Sequence, residues 1–314
     1  VVSPRAFGLL DALGTAGAVR AAGVPVGNVS VWRTDGREWT DRLPAGGGKR
    51  EREREPPVVC RTAALRRALY GTVPAASVDR DRRLEGLEPR ADAVVAAFAD
   101  GVREPFDLVV RTTPRSDATA PGASLRGVEI ETARPPRPID AWGPRSVAQA
   151  LPDPGAEGTG GVLRIATTAA DPVARLRAGA WPPAMPASAV APASVDVRQL
   201  ERPGAGTWGD GRVARCGVAA TPVVPATGLG ATLGLADARA LGIELARDAT
   251  VAEAIGAYAR RRRRAIAALF ARRVADADGP TAYPRVDGPA SLSAAATLRA
   301  AGLGIGSGSC RSEL

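Results

Sequence analysis

The spacing of apolar residues along the chain predicts several helices. Apolar positions in residues 6–22 recur at roughly helical spacing, although Gly14 and a second glycine weaken the middle of the segment. Residues 58–69 combine a strand end with the start of a helix, and residues 230–246 and 251–276 are predicted as two more helices. The last helix is the clearest, because large apolar side chains recur along its length.

Short stretches of alternating polar and apolar residues predict strands. Residues 24–32 alternate, and Asp35-Gly36 predicts a hairpin turn after them. The β-branched pair at the end of residues 106–110 predicts a buried parallel strand there. Pro and Gly then divide a long segment into short strands, which predicts an antiparallel sheet from residues 127–132, 147–151, 161–167 and 195–200. The pattern is typical of a mixed α/β (α+β) protein.

The composition excludes several kinds of site. The 314 residues include no histidine, so Ser-His-Asp and Cys-His catalytic systems and histidine-based zinc sites are excluded. Cys60, Cys216 and Cys310 lie far apart, and no two of them have the spacing of metal ligands. Three cysteines form no disulfide framework and favour a reduced, cytoplasmic setting. We therefore predict no metal site.

The chain is basic, with a net charge of +9, and Lys49 is its only lysine. Such a balance suits either an anion-binding or nucleic-acid-binding surface, or the codon bias of a GC-rich genome. The arginines are scattered and are not interleaved with aromatic residues, so no nucleic-acid partner is predicted. The five arginines at residues 260–264 are interpreted as a solvated helix face. No apolar run reaches the ~18 residues that cross a membrane, and no signal peptide is expected.

A glycine-rich turn carries the most specific chemical pattern. A predicted strand ends at Cys216, glycines follow at positions 217, 228 and 230, and a helix begins. Glycines allow a backbone to approach a ligand closely, and the free amides at a helix start attract anions or partial negative charge. The same pattern also suits a tight strand-to-helix turn that binds nothing. The spacing alone leaves both interpretations open.

In its setting this segment resembles the second FAD motif of the FAD-dependent monooxygenases of the aromatic-ring hydroxylase (p-hydroxybenzoate hydroxylase-like) type. Val218 and Thr221 depart from the motif, because the family has an aspartate and a histidine there. The family's aspartate hydrogen-bonds the ribityl chain of FAD, and losing such a bond costs roughly 1.5–3 kcal/mol of binding. Eight positions match in order and spacing: Gly217, Ala219, Ala220, Pro225, Gly228, Gly230, Asp237 and Ala238.

Other stretches support the resemblance by following in the same order. Residues 58–65 resemble a helix start at which an arginine, here Arg61, lies near the cofactor. The family's N-terminal strand, Gly-x-Gly-x-x-Gly turn and helix correspond to roughly 35 residues before Val1, so the resemblance lacks that dinucleotide-binding unit. The family's Asp-Gly motif would follow Val110, where the chain reads differently. Four further stretches resemble parts of the family in chain order. Residues 4–14 resemble the helix after the nucleotide-binding unit, and residues 98–110 resemble the strand pair before the Asp-Gly motif. Residues 142–152 resemble the substrate-covering sheet, and residues 258–264 resemble an Arg-rich helix.

The resemblance implies a partial FAD-binding three-layer domain interleaved with a substrate domain built on an antiparallel sheet. The substrate domain would comprise residues 24–57 and 125–206, and residues 277–314 would form a loosely ordered tail. The FAD-binding part would comprise residues 1–23, 58–124 and 207–276.

The resemblance also implies an activity, the hydroxylation of a small organic substrate such as an aromatic compound. FAD would be the cofactor, NAD(P)H the reductant and O2 the oxidant. The family has no universal catalytic side chain, so none is named. The alternative is a non-catalytic relative that keeps the fold but has lost FAD. The residues expected at the cofactor are Arg61, Gly217, Pro225, Gly228, Leu229, Gly230 and Ala231.

Overall fold

A computed structural model of the chain describes residues 1–26, 28–33, 38–42, 56–113, 125–133, 139–143, 146–155, 160–167, 171, 174, 198–200, 207–221, 230–247 and 250–271. Part of the glycine-rich turn, at residues 222–229, lies outside the described residues. So does the tail predicted for residues 277–314.

The chain contains an N-terminal helical pair that begins with a well-formed cap. The Ser3 hydroxyl accepts a hydrogen bond from the Ala6 amide at 3.2 Å, and Pro4 occupies the first helical position, where its fixed φ suits a helix start. The described helices are α1 (Pro4–Ala12), α2 (Ala16–Ala21), α3 (Thr62–Tyr70), α4 (Gly230–Leu245) and α5 (Val251–Ala271).

The single helix predicted for residues 6–22 is wrong, because the segment forms two helices. Gly14 adopts a φ of +70°, a left-handed conformation that glycine takes without steric cost. Its amide donates to the Asp11 carbonyl at 3.0 Å, and Thr15 then precedes the first residue of α2. Because the break between the two helices is short, it leaves the apolar spacing almost unchanged. The spacing therefore does not indicate the break.

One large sheet joins two segments that are distant in the sequence. Its strands pair antiparallel except for β2 and β10, which are parallel, and its order is β13-β9-β12-β11-β10-β2-β3. The pairing of β2 with β3 confirms the hairpin predicted around residues 35–36. The strands are β2 (Asn28–Arg33), β3 (Glu38–Arg42), β9 (Leu125–Ala133), β10 (Ile139–Gly143), β11 (Ser146–Pro152), β12 (Gly160–Thr167) and β13 (Arg198–Leu200).

The remaining strands form three small sheets. In the sheet β14-β15-β8, β15 and β8 pair in parallel, as predicted for the segment around Val109. The buried strand predicted for residues 106–110 is wrong: the strands divide after Phe106, and Val110 is 44% exposed because β8 is an edge strand. The strands are β1 (Gly23–Pro25) with β4 (Val58–Cys60); β5 (Leu84–Pro89), β6 (Val94–Phe98) and β7 (Arg103–Phe106); and β8 (Val109–Arg111), β14 (Gly209–Asp210) and β15 (Val213–Arg215).

Two apolar clusters meet at helix α4. The first contains Trp208, Tyr258 and Ile266 and packs β14 and β15 against α4 and α5. The second contains Phe7 and Leu10 of α1, and side chains of α3 and α4 pack against it. None of the described helices is both long and apolar enough to cross a membrane. The structure is thus a mixed α/β fold with antiparallel sheets, as predicted.

Candidate functional site

The glycine-rich segment begins where β15 ends. The Cys216 amide extends the parallel pairing by donating to the Arg111 carbonyl at 2.9 Å. Gly217 then turns the chain with a φ of +61°, a conformation that costs other residues roughly 1–2 kcal/mol. A Cβ atom on Gly217 would lie 3.6 Å from the Cα atom of Gly234. The turn therefore lies directly against α4.

A buried carboxylate fixes this turn. Asp237 of α4 has no exposed surface, and its Oδ2 accepts a hydrogen bond from the Gly217 amide at 2.8 Å. Its Oδ1 accepts one from Nε of Arg262, on α5, at 2.5 Å. Burial raises the pKa of Asp237, whereas the Arg262 charge and the Gly217 N–H oppose that rise. The position of Gly217 consequently depends on both helices.

A second contact holds α5 against the end of β15. Tyr258 is fully buried, and its hydroxyl donates to the Arg215 carbonyl at 2.7 Å. The same hydroxyl lies 3.5 Å from Sγ of Cys216. Burial raises the pKa of the Tyr258 hydroxyl and of the Cys216 thiol. Both groups are therefore protonated at neutral pH and serve as structural contacts.

The five-arginine run of α5 divides between the interior and the solvent. Arg262 is buried against Asp237, and Arg261 donates to the buried Glu244 at 3.1 Å. The solvated face predicted for this run is wrong for Arg262, because 3.6 residues per turn direct part of any such run toward the packed side of a helix. The other three arginines are exposed.

Arg61 lies at the junction of β4 and α3, immediately before the first residue of α3. Its Nε donates to Oδ1 of Asp153 at 2.7 Å, and its Nη2 donates to Oδ2, so the ion pair is bidentate. Asp153 follows β11 in the large sheet. The hydrogen bonds and charge of Arg61 hold the pKa of Asp153 below its usual value. The pair thus connects α3 to the large sheet.

Gly155 completes the surroundings of this pair. Its amide donates to Oδ1 of Asp153 at 3.0 Å. A Cβ atom on Gly155 would overlap the guanidinium of Arg61. Only glycine therefore fits at this position while the ion pair keeps its geometry.

Hydrogen bonds also link the strand before Arg61 to the first turn of α4. Val2 exchanges two backbone hydrogen bonds with Val58 of β4, at 2.7 and 2.9 Å. The hydroxyl of the next residue, Ser3, lies 2.9 Å from that of Thr232 on α4, and both side chains are buried. Because side chains of α3 and α4 also pack against one apolar cluster, the two helices belong to one packed unit.

The structure places four of the seven predicted cofactor residues in or against this unit. Gly230 and Ala231 are the first residues of α4, Gly217 is hydrogen-bonded to α4, and Arg61 precedes α3. The role of each at a cofactor stays a prediction. The remaining three, Pro225, Gly228 and Leu229, lie outside the described residues.

The two positions that depart from the sequence motif differ in their surroundings. Val218 is 37% exposed, so an apolar side chain contacts solvent at the position where the motif has a carboxylate. Thr221 is 1% exposed, and its Oγ1 has no hydrogen-bond partner among the residues that the structure describes. A buried hydroxyl without a partner is costly, which makes Thr221 a candidate ligand contact.

Two ion-pair partners in this site, Asp153 and Arg262, were not predicted from the sequence. Asp153 lies 92 residues from Arg61, and Arg262 lies 25 residues from Asp237. The Asp-Pro-Gly sequence at residues 153–155 is a turn pattern that could have placed Asp153 in a turn. It contains no information about the distant arginine.

The hydrogen-bond donors of the site fit a flavin nucleotide, whose pyrimidine carbonyls and phosphates are acceptors. Asp153 takes up two of the five guanidinium N–H groups of Arg61 and leaves the others for a ligand. The first amides of α4 have no partner within the helix, and Thr221 adds a hydroxyl. The described residues thus fit the acceptor groups of FAD, whereas Val218 stands where the resembled motif has a carboxylate.

The sequence matches no family model and no curated protein. The fold is similar to several solved structures at low sequence identity. HpxO from Klebsiella pneumoniae, in complex with FAD and uric acid, is 20% identical over 84% of this chain and 75% of its own, with a TM-score of 0.64.

PqsL from Pseudomonas aeruginosa, in complex with 2-aminobenzoylacetate, is 17% identical over 83% of this chain and 80% of its own, with a TM-score of 0.64. FqzB is 16% identical over 84% of this chain and 69% of its own, with a TM-score of 0.66. The chain therefore has the fold of these proteins, among which PqsL is described as a probable FAD-dependent monooxygenase.

Proposed function

We propose that this chain is an oxidoreductase that binds FAD and hydroxylates a small organic substrate with NAD(P)H and O2. The observation that carries the proposal is the Gly217 turn. A hydrogen bond of 2.8 Å from the Gly217 amide to Oδ2 of Asp237 holds this turn against α4. A glycine turn fixed this rigidly beside the start of a helix is suited to a ligand that approaches the backbone closely.

The proposed cofactor contacts divide by chemistry. The amides of Gly230 and Ala231, at the positive end of the α4 dipole, would face the pyrimidine carbonyls. Arg61 would bind an anionic group, and the Thr221 hydroxyl would supply a further donor. When bound, the flavin supplies the redox chemistry with NAD(P)H and O2. Pro225, Gly228 and Leu229 are proposed to shape the same turn.

The proposed division of the chain assigns the substrate to the large sheet. Strand β2 pairs with β10 on one side and with β3 on the other, so the hairpin β2–β3 extends the sheet formed by residues 125–200. This supports a substrate domain made of residues 24–57 and 125–206. Gln149 of β11 is buried and is the register partner of Arg164 of β12, so both side chains lie on one face of the sheet. We propose that the side of the sheet carrying these two polar residues lies toward the substrate.

Two comparisons support the substrate class. The HpxO structure contains uric acid and the PqsL structure contains 2-aminobenzoylacetate, both small organic molecules. We propose an aromatic substrate of similar size for this chain, in the reduced cytoplasmic setting that its three cysteines favour.

One observation favours a second function, a non-catalytic relative that keeps the fold without FAD. The motif's carboxylate position holds Val218, and no other described carboxylate is seen to take its place beside Gly217, since Asp237 is buried and engaged. A protein of this kind would have no redox activity with added FAD.

Reduction of added FAD separates the two functions. The chain is incubated with FAD under anaerobic conditions, NADPH or NADH is added, and flavin absorption is followed before and after O2 is admitted. The enzyme bleaches the absorption faster than free FAD does, and O2 restores it. Bleaching at the rate of free FAD with both reductants would support the non-catalytic relative.

A further inference from the structure

The two ion pairs of the site differ in which partner is shielded. In the Asp237–Arg262 pair both side chains are buried, and the arginine side chain is only 10% exposed. In the Arg61–Asp153 pair the acid is 4% exposed, whereas the arginine side chain is 50% exposed. An ion pair that only joins two elements does not need an arginine side chain that is half exposed to solvent. The asymmetry therefore suggests a second role for Arg61.

The geometry of the pair determines which donors remain. Asp153 engages the Nε–Nη2 edge of Arg61, and the backbone at Gly155 leaves no room beside the guanidinium. The N–H groups left over belong to Nη1 and to the second hydrogen of Nη2, which form the outer edge of the fork. Two parallel N–H donors on one edge match the oxygen atoms of a phosphate or carboxylate.

We propose that Asp153 is a positioning residue, which holds the outer edge of Arg61 toward an anionic group of the bound cofactor. This inference rests on the proposed function, because FAD supplies the anionic group through its pyrophosphate. Asp153 does not touch the cofactor and acts only through Arg61. The negative charge of Asp153 partly offsets the positive charge of Arg61, so Asp153 favours binding by orienting the guanidinium. An arginine side chain that is already fixed loses less entropy when the ligand binds.

A double-mutant cycle tests this role. Flavin fluorescence quenching gives the FAD Kd of the 314-residue chain, of Asp153→Asn, of Arg61→Gln and of the double variant. We expect each single change to raise the Kd about tenfold, because each removes the orientation or the donors of one bidentate contact. The double variant should bind FAD no more weakly than Arg61→Gln does, because Asp153 has no route to the cofactor without Arg61.

Two further variants make the test specific. Gly155→Ala keeps both charges but places a methyl group where the guanidinium lies, so its Kd should rise several-fold. Asp11→Asn is the matched control, because it removes a carboxylate from the exposed Arg20–Asp11 pair. This pair joins α2 to α1, with Nη1 of Arg20 3.2 Å from Oδ1 of Asp11. Its Kd should equal that of the unaltered chain.

The outcomes distinguish the two proposals. If Asp153→Asn leaves the Kd unchanged, or weakens binding equally in the Arg61→Gln background, Asp153 serves the fold alone and the positioning role is overturned. Circular dichroism checks each variant for folding, and if Asp153→Asn does not fold, a Gly155→Ala variant with unchanged Kd overturns the role. An unaltered chain that does not quench flavin fluorescence overturns the proposed function itself, and the inference with it.

Discussion

At the scale of single residues, the described site is rich in hydrogen-bond donors and poor in acceptors. Arg61, the first amides of α4 and the Thr221 hydroxyl have N–H or O–H groups that can donate to a ligand, whereas the carboxylates Asp153 and Asp237 are already engaged by arginines. Val218 occupies the one position where the sequence motif has an acceptor for the ribityl hydroxyls.

Val218→Asp should tighten FAD binding about tenfold or more, because a charged acceptor gains roughly 1.5–3 kcal/mol from a hydrogen bond to the ribityl chain. Val218 is 37% exposed, so the new carboxylate is not forced into an apolar interior. Fluorescence titration with FAD measures the change. Val102→Asp, at a valine that is 44% exposed in the β6–β7 turn, is the control. Equal Kd values for both variants would show that the carboxylate position is not what limits binding.

The stability that Asp153 contributes should depend on pH. Its pKa is lowered, first by the side-chain hydrogen bond with Arg61, so the folded state favours the ionised form. A lowered pKa adds stability above the unfolded value of about 3.9, and this stability is lost as the pH falls through the folded value. Denaturant unfolding of the unaltered chain and of Asp153→Asn should therefore differ at pH 7 and 5 and converge below about pH 4. A difference that persists undiminished at pH 3 would contradict the ion pair.

Residue-scale features were predictable from the sequence only where the cause is local. A turn at Gly217 could be predicted because the strand before it ends only two residues earlier, at Arg215. Asp153 could not be found, because its importance depends on Arg61, which lies 92 residues away and comes near only in the folded chain. Arg61 itself was predicted to lie near the cofactor through a family resemblance and not through any physical pattern around it.

At the scale of elements, the N-terminal helices show how one dihedral angle can outweigh an apolar pattern. Gly14 should become strained when replaced by alanine, because its φ is +70°, and the cost should be roughly 1–2 kcal/mol of unfolding free energy. Gly17 provides the matched control, since it lies in α2, where an added methyl group would meet no neighbouring element within 4 Å. Gly17→Ala should stabilise by about 0.5–1 kcal/mol. Denaturant unfolding that gives both changes the same sign would contradict the break between α1 and α2.

The junction of α4 and α5 should be the most sensitive contact between elements. Asp237→Asn leaves Arg262 buried without a counter-charge, so it should lower the free energy of unfolding by about 3–5 kcal/mol. Asp11→Asn removes a carboxylate from an exposed pair and should cost less than about 1 kcal/mol. Urea denaturation of both variants measures the contrast. A loss below about 1 kcal/mol for Asp237→Asn would show that the pair is not buried as described.

Elements with a strong period were predictable, and their partners were not. The helix that begins at Val251 follows from its apolar period, yet the same period gave no sign that Arg262 would meet Asp237. A run of arginines is usually solvated, and that tendency misled the prediction for the one member that faces the interior. Helical phase decides which member this is, but only the packed structure shows where α4 lies.

At the scale of the whole molecule, the large sheet could be predicted in type but not in order. Pro and Gly spacing indicated an antiparallel sheet from residue 127 onward, and that sheet is present. The parallel pairing of β2 with β10 joins Ser30 to Ile139 and brings in a hairpin from the N-terminal part of the chain. No local pattern specifies such a pairing, because its stability comes from the assembled sheet.

The proposed binding of FAD depends on the hydrogen-bond donors around the Gly217 turn and the start of α4. The direct measurement is the visible absorption spectrum of the purified chain after incubation with excess FAD and removal of the free cofactor by gel filtration. We expect flavin absorption to elute with the protein, near one FAD per chain. A colourless protein peak, with all of the flavin in the small-molecule fractions, would contradict it.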